Sequence, residues 1–301
     1  MMSSLGRRFR RRRRLWRRYG WRKVAGRPLH DLRWKVSSDE SISRWMEERL
    51  QIDDDYWLFV LGLNNSGTSI IQRILTSHPR ARGLPDEGQA LTSVFARGNQ
   101  YGVSRYWTVR LDVFRLTEED DPAPARRAKY DWLYYYEPRP GILVEKSPPN
   151  AIRGRWLQQN FQPSRFIAVT RHPYAVCEGI RRRIGLPIEQ AAQHWLVGNE
   201  LLLEDTERMD RALLVRYEDF CERPQEQLRL MQDFLDLKEP FDHELLNQPL
   251  RIQNIDGKAQ PIQNMNAKSI ERLSHHEIAA IDRVTAPLRE RLGYESVLDP
   301  R

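Results

Sequence analysis

A chain of 301 residues is long enough for one large domain or two ordinary ones with a real hydrophobic core. With 40% hydrophobic and 30% charged residues, and only 16 Gly and 18 Pro, it reads as globular and soluble, not low-complexity. The longest apolar run, residues 57–63, is far short of the roughly 20 apolar residues a membrane span needs, and two cysteines, Cys177 and Cys221, argue against a disulfide scaffold or a structural zinc site.

The net charge of +8 is unevenly divided. Residues 1–30 hold eleven Arg and one Lys with no acid, which leaves 37 bases against 41 acids in the rest. A block of like charge repels itself and is usually disordered in isolation. Residues 1–40 are therefore expected to be an Arg-rich tail, ahead of a single domain over 41–301. No apolar segment follows the run, so it is not a secretory signal, and a cytoplasmic location is expected. Arg interleaved with Trp16, Tyr19 and Trp21 suits RNA phosphates and bases. It equally suits peripheral attachment to an anionic membrane surface, or a solvated arm with no partner.

From about residue 40 the pattern is regular. Residues 41–50 read as a short capped helix, and 56–63 as a strand buried on both faces. Ile70, Ile71, Ile74 and Leu75 place a helix over 68–77. Residues 141–145 and 165–170 are two further strands, each followed by a helix that opens near a proline, at Pro148-Pro149 and at Pro173. A longer helix opens at Pro187. Residues 212–216 form a fourth strand, with a helix behind it over 223–235. Residues 237–268 read as a long loop and 274–292 as a closing helix, in which His275 and His276 are surface residues. Strands alternating with helices predict an α/β fold: three layers, P-loop-like, with a central parallel sheet flanked by helices.

Two anion sites lie on this pattern. The first strand runs into Gly62-Leu63-Asn64-Asn65-Ser66-Gly67-Thr68-Ser69, a G-x-x-x-x-G loop between a strand and a helix. Backbone N–H groups of residues 66–69 are placed to meet an anion at the positive end of the helix dipole. Thr68 stands where a nucleotide triphosphatase carries its lysine, which argues against kinase or ATPase chemistry. The rival reading is an ordinary glycine-rich turn. The second site is Arg171, which ends a strand just before a helix in Thr170-Arg171-His172-Pro173 and offers a bidentate fork to phosphate. Arg181, Arg182 and Arg183 lie further along that helix, where a solvated face is the simpler reading for at least two of them.

This ordered pair of sites resembles the sulfotransferases that use 3′-phosphoadenosine 5′-phosphosulfate (PAPS). Their 5′-phosphosulfate loop has the form Pro-Arg/Lys-Ser-Gly-Thr-Thr/Ser, matched by Asn64 to Ser69, and their 3′-phosphate segment is matched by Arg171-His172-Pro173. Glu145-Lys146-Ser147-Pro148 resembles a segment of glycan-type members, and Arg216-Tyr217-Glu218-Asp219 a later family segment. His78-Pro79 followed by Asp86-Glu87 resembles the tyrosylprotein branch. The resemblance covers roughly residues 55–295. It implies in-line sulfuryl transfer from PAPS to a hydroxyl, with adenosine 3′,5′-bisphosphate as product and no metal demanded. Asn65, Ser66, Gly67, Thr68 and Ser69 would hold the 5′-phosphate, Arg171 the 3′-phosphate, and Tyr217 would pack near the nucleotide. Lys146 would neutralise charge on the bridging oxygen, and Glu87 would be the general base, with Asp86 and His78 as substitutes. Glu87 also reads as a mere first-turn acid, and Lys146 as a surface lysine.

Two departures stand out: Asn65 replaces a basic residue of the loop, and Gly179 replaces a Ser eight residues after the 3′-phosphate Arg. A lost charge-assisted contact costs about 1.5–3 kcal/mol, which Lys146 is expected to offset. These departures also support a different class of function, an inactive sulfotransferase fold that binds nucleotide or RNA. For the acceptor, a glycan or other large hydroxyl-bearing molecule is favoured and a protein tyrosine stays open. Tyr101, Tyr106, Trp107 and Tyr134-Tyr135-Tyr136 are candidate pocket aromatics or plain core.

Overall fold

The structure, a computed structural model, describes residues 19–50, 55–136, 141–246 and 262–298. Five strands form one parallel sheet: β1 (Tyr56–Leu61), β2 (Ala81–Gly83), β3 (Ile142–Glu145), β4 (Ser164–Thr170) and β5 (Ala212–Arg216), in the spatial order β2-β3-β1-β4-β5. The central strand β1 pairs with β3 from Tyr56 opposite Ile142, and with β4 from Trp57 opposite Ser164. Its side chains alternate between two cores. Trp57, Phe59 and Leu61 join one hydrophobic cluster with Trp132, Phe161 and Trp195, while Leu58 and Val60 join another with Ile71, Ile74 and Leu228. A strand covered on both faces needs an unbroken apolar run, which is what residues 57–61 supply.

The main helices, in chain order, are α1 (Trp21–Val36), α2 (Asp39–Glu47), α3 (Thr68–Leu75), α4 (Ala123–Leu133), α5 (Gly154–Asn160), α6 (Pro173–Ile184), α7 (Ile188–Arg208), α8 (Tyr217–Glu222), α9 (Pro224–Phe234), α10 (Asn266–Ile270) and α11 (His275–Arg291). Local chemistry sets several of their ends. Pro173 opens α6, where His172 caps the amide of Tyr174, and Ser274 with Glu277 forms a capping box on α11. The proline pair after β3 gives a 3-10 turn, Pro148–Ile152, before α5 begins. Of the segment read as a loop over 237–268, the described parts include a 3-10 turn at His243–Leu246 and the start of α10; residues 247–261 lie outside the described residues.

The expected tail boundary near residue 40 is corrected: α1 and the start of α2 lie within it, on the body. The anchor is Asp131 on α4, fully buried, which accepts from Arg27 Nη2 at 2.8 Å and Thr92 Oγ1 at 2.7 Å and pairs with Arg127 at 2.9 Å. His30 stacks on Tyr130 at 3.9 Å between ring centroids, and Tyr130 donates to the His30 carbonyl. Arg27, one of the basic residues that repel one another in an isolated peptide, is thus paired here with an acid 104 residues away. The run of arginines over residues 7–18 lies outside the described residues.

Candidate active site

Every strand of a parallel sheet points its carboxyl end the same way, so the segments leaving those ends share one edge. All five contribute to one cavity of about 310 Å³: Glu87 after β2, Lys146 after β3, Asn64 to Ser69 after β1, Arg171 after β4 and Tyr217 after β5. Seven basic side chains line it against two acids, Glu87 and Glu178. On a body with more acids than bases, this is a local excess of positive charge.

The loop after β1 turns through Asn65 at φ 70° and Gly67 at φ 94° into α3. Gly67 is required twice over, because φ is left-handed and a Cβ there would stand 2.5 Å from Cδ2 of Tyr217. The amides of Thr68 and Ser69 precede the first bonds of α3, made by Ile70 and Ile71 to the Gly67 carbonyl, and both residues line the cavity. Ser66 differs: it is buried off the cavity wall, with its Oγ unpartnered among the described residues.

Arg171 spans both sides of the site. It donates from Nη1 to the Asn65 carbonyl at 2.9 Å and from Nε to Asn266 Oδ1 at 2.9 Å, and its guanidinium lies 4.0 Å from the centroid of the Tyr217 ring. Tyr217 in turn donates to the Gln263 carbonyl at 2.9 Å. Burial pushes its phenol well above the ordinary range, which keeps the hydroxyl protonated.

Across the cavity Lys146 donates to Glu87 Oε1 at 3.0 Å. Lys146 is buried, so the rival surface-lysine reading fails. Glu87 does precede a one-turn helix, Gly88–Leu91, yet its carboxylate reaches the cavity. The loop that carries it is pinned by the fully buried Glu145, which accepts from the Gly88 amide at 2.8 Å, Ser147 Oγ at 2.5 Å and Asn150 Nδ2 at 2.6 Å. Burial raises the Glu145 pKa, while the donors from Ser147 and Gly88 pull it back.

The two departures from the family pattern meet in space. A Cβ on Gly179 would stand 2.8 Å from Asn65 Nδ2, so the missing side chain at 179 makes room for the Asn65 amide. Asn65 Oδ1 accepts from Arg105 Nη1 at 3.2 Å, which brings a guanidinium to the cavity wall from a segment that carries no motif. Burial, then the charges of Arg183 and Arg182, push the Arg105 guanidinium below its ordinary range, partly offset by Glu87. Sequence reasoning missed Arg105, Lys268 and Arg272; their one shared signal was positive charge in segments without a pattern. Arg182 and Arg183 line the cavity too, whereas Arg181 pairs with Glu277 away from it.

Some expectations are corrected. His78 is buried against the Glu239 carbonyl at 3.1 Å, and Asp86 accepts from Tyr19 at 2.6 Å; neither lines the cavity, so neither replaces Glu87. The aromatics at 101, 106, 107 and 134–136 are absent from the cavity wall. Trp107 is core and donates to Asn64 Oδ1 at 3.2 Å, supporting the loop from behind.

A family model described as the sulfotransferase family matches residues 58–242, which include β1 from Leu58 onward and the other four strands whole. Protein-tyrosine sulfotransferase A of Caenorhabditis elegans is 23% identical over 288 residues, covering 87% of this chain and 74% of that protein. Among solved structures, the sulfotransferase domain of the Synechococcus olefin synthase superposes with a TM-score of 0.55 at 24% identity, covering 80% of this chain and 95% of that one. A sulfotransferase of Mycobacterium avium gives the same TM-score at 16% identity, over 85% of this chain and 81% of that one.

Proposed function

The chain belongs to the sulfotransferase family, and from that premise we propose that it transfers the sulfuryl group of PAPS to a hydroxyl on a protein. A tyrosine side chain is the acceptor we favour over a glycan, after the relative named for that activity. The observation that carries the reading is the convergence of all five strand ends on one basic cavity. A donor with a phosphate at each end of a ribose needs two positive sites, and in this reading they are the α3 terminus and Arg171, both on the cavity wall.

PAPS brings a sulfuryl group already activated on a phosphate. The acceptor oxygen forms the new S–O bond as the bond from sulfur to the bridging phosphate oxygen breaks. Glu87 takes the hydroxyl proton, and the electron pair leaves on adenosine 3′,5′-bisphosphate. Lys146, held by Glu87 before acceptor arrives, turns to the bridging oxygen, where preorganised positive charge is worth a few kcal/mol. Arg105 takes the part of the basic loop residue that Asn65 lacks, which removes the reason for reading Asn65 and Gly179 as marks of an inactive fold.

The test is a titration of the full chain with adenosine 3′,5′-bisphosphate against AMP and Mg-ATP, followed by transfer from PAPS to a tyrosine-containing peptide and to a sugar. Metal-independent binding that prefers the 3′-phosphate, lost in Arg171→Ala, is expected. Equal binding of AMP would sink the donor assignment; transfer to the sugar alone would overturn the acceptor.

A further inference from the structure

Helix α1 is amphipathic in the inverted sense. Its inward positions are largely polar: Arg27 and His30 turn towards the buried Asp131, and Lys23 donates to the Tyr134 carbonyl, with Trp34 packed on Tyr130 beside them. Its outward face is apolar, with Trp21 63%, Leu29 71%, Leu32 52% and Val36 72% exposed. At about 100° per residue these four side chains and Ala25 fall within an arc of about 80°. Arg22 and Arg33 border that arc on one side and Lys35 on the other. In sequence, the arginines of residues 7–18 lead directly into the helix.

We propose that α1 docks this chain on an anionic lipid bilayer, with the stripe of Trp21, Leu29, Leu32 and Val36 set into the headgroup boundary and the flanking bases against lipid phosphates. A bilayer offers apolar depth and negative charge in the same plane, which matches a stripe edged by cations. RNA would engage the arginines and the indole but has nothing for Leu29, Leu32 and Val36. A second copy would bring an equally basic segment against this one, and like charge opposes that contact. The inference stands apart from the transfer reaction, since none of these residues lines the cavity.

Sedimentation of the full chain with phosphatidylcholine vesicles, with and without phosphatidylserine, tests it. Binding is expected only with phosphatidylserine, weakened by salt, and reduced on the order of tenfold or more in the double variant Leu29→Ser/Leu32→Ser. Both positions are exposed, so an unchanged thermal midpoint verifies that the variant is folded. Three results overturn the proposal: no binding to phosphatidylserine vesicles, vesicle binding the double variant retains in full, or a dimer in light scattering that the double variant converts to monomer. Single-stranded RNA is included as competitor. RNA that binds equally well to both forms while vesicles bind neither reassigns the basic run to nucleic acid.

Discussion

A Cβ at position 179 and the amide of Asn65 compete for one volume, which makes these residues energetically coupled. Gly179→Ser is expected to lower affinity for adenosine 3′,5′-bisphosphate by overpacking of about 1–3 kcal/mol. Adding Asn65→Gly restores that affinity but not transfer, since the anchor of Arg105 is then gone. A double variant as weak as the single one sinks the coupling. Arg105→Ala reads a different quantity. Its guanidinium is assigned to the transferring group, so kcat/KM falls by about 1.5–3 kcal/mol while product affinity changes little; equal losses in both would move Arg105 to nucleotide binding. The β1 loop, Lys146, Arg171 and Tyr217 could be placed on one edge from the sequence because each directly follows a segment that reads as a strand, whereas Glu87 rested on the family resemblance alone. Arg105 could not be placed, because the segment that carries it has no periodicity and only the folded chain brings it to Asn65.

Single elements show a similar division. Strand β1 and helices α6 and α11 are written locally, in an apolar run, a proline and a capping box. β2 is three residues long and leaves no pattern to find. For α1, the local signal misled: a basic run reads as a tail unless its acids are known, and Asp131 lies on α4. Burial alone would raise the Asp131 pKa, but the His30 ring at 3.6 Å, a hydrogen bond from Arg127 and the charge of Arg27 hold it below the usual range. A depressed carboxylate stabilises the folded state above its unfolded value of about 3.9, and that contribution is lost as pH falls through the folded value. Asp131→Asn is expected to cost on the order of 3 kcal/mol by leaving the partly buried Arg27 and Arg127 with only the more exposed Asp31 as an acid partner. Hydrogen exchange across residues 21–36 should then accelerate while β1 stays protected. Unchanged exchange in α1 would mean that ring stacking, not charge, holds it.

For the whole molecule, acid sensitivity is expected to arise at His194 on α7, which is fully buried and bonded to Thr108 Oγ1 at 2.7 Å. Burial pushes its pKa down to about 3. The unfolded chain binds the proton from about pH 6.5 downward and the folded chain does not, so stability falls by about 1.4 kcal/mol per pH unit across that window. In His194→Gln, denaturant midpoints measured from pH 7 to pH 4 should show a flatter decline; an identical slope would exclude His194 as the cause. The fold class itself was legible because parallel sheets write their strands as unbroken apolar runs, and the charge imbalance because it is concentrated in one segment. What no single segment could show is the lateral order of the strands. That order sets Glu87 and Lys146 on one flank of the β1 loop and Arg171 and Tyr217 on the other. On the proposed reading, the base and the nucleotide grip therefore sit on opposite halves of the sheet and can be inherited separately. A lineage can exchange the loop after β2 to suit a new recipient while Lys146 and the nucleotide half are left as they stand.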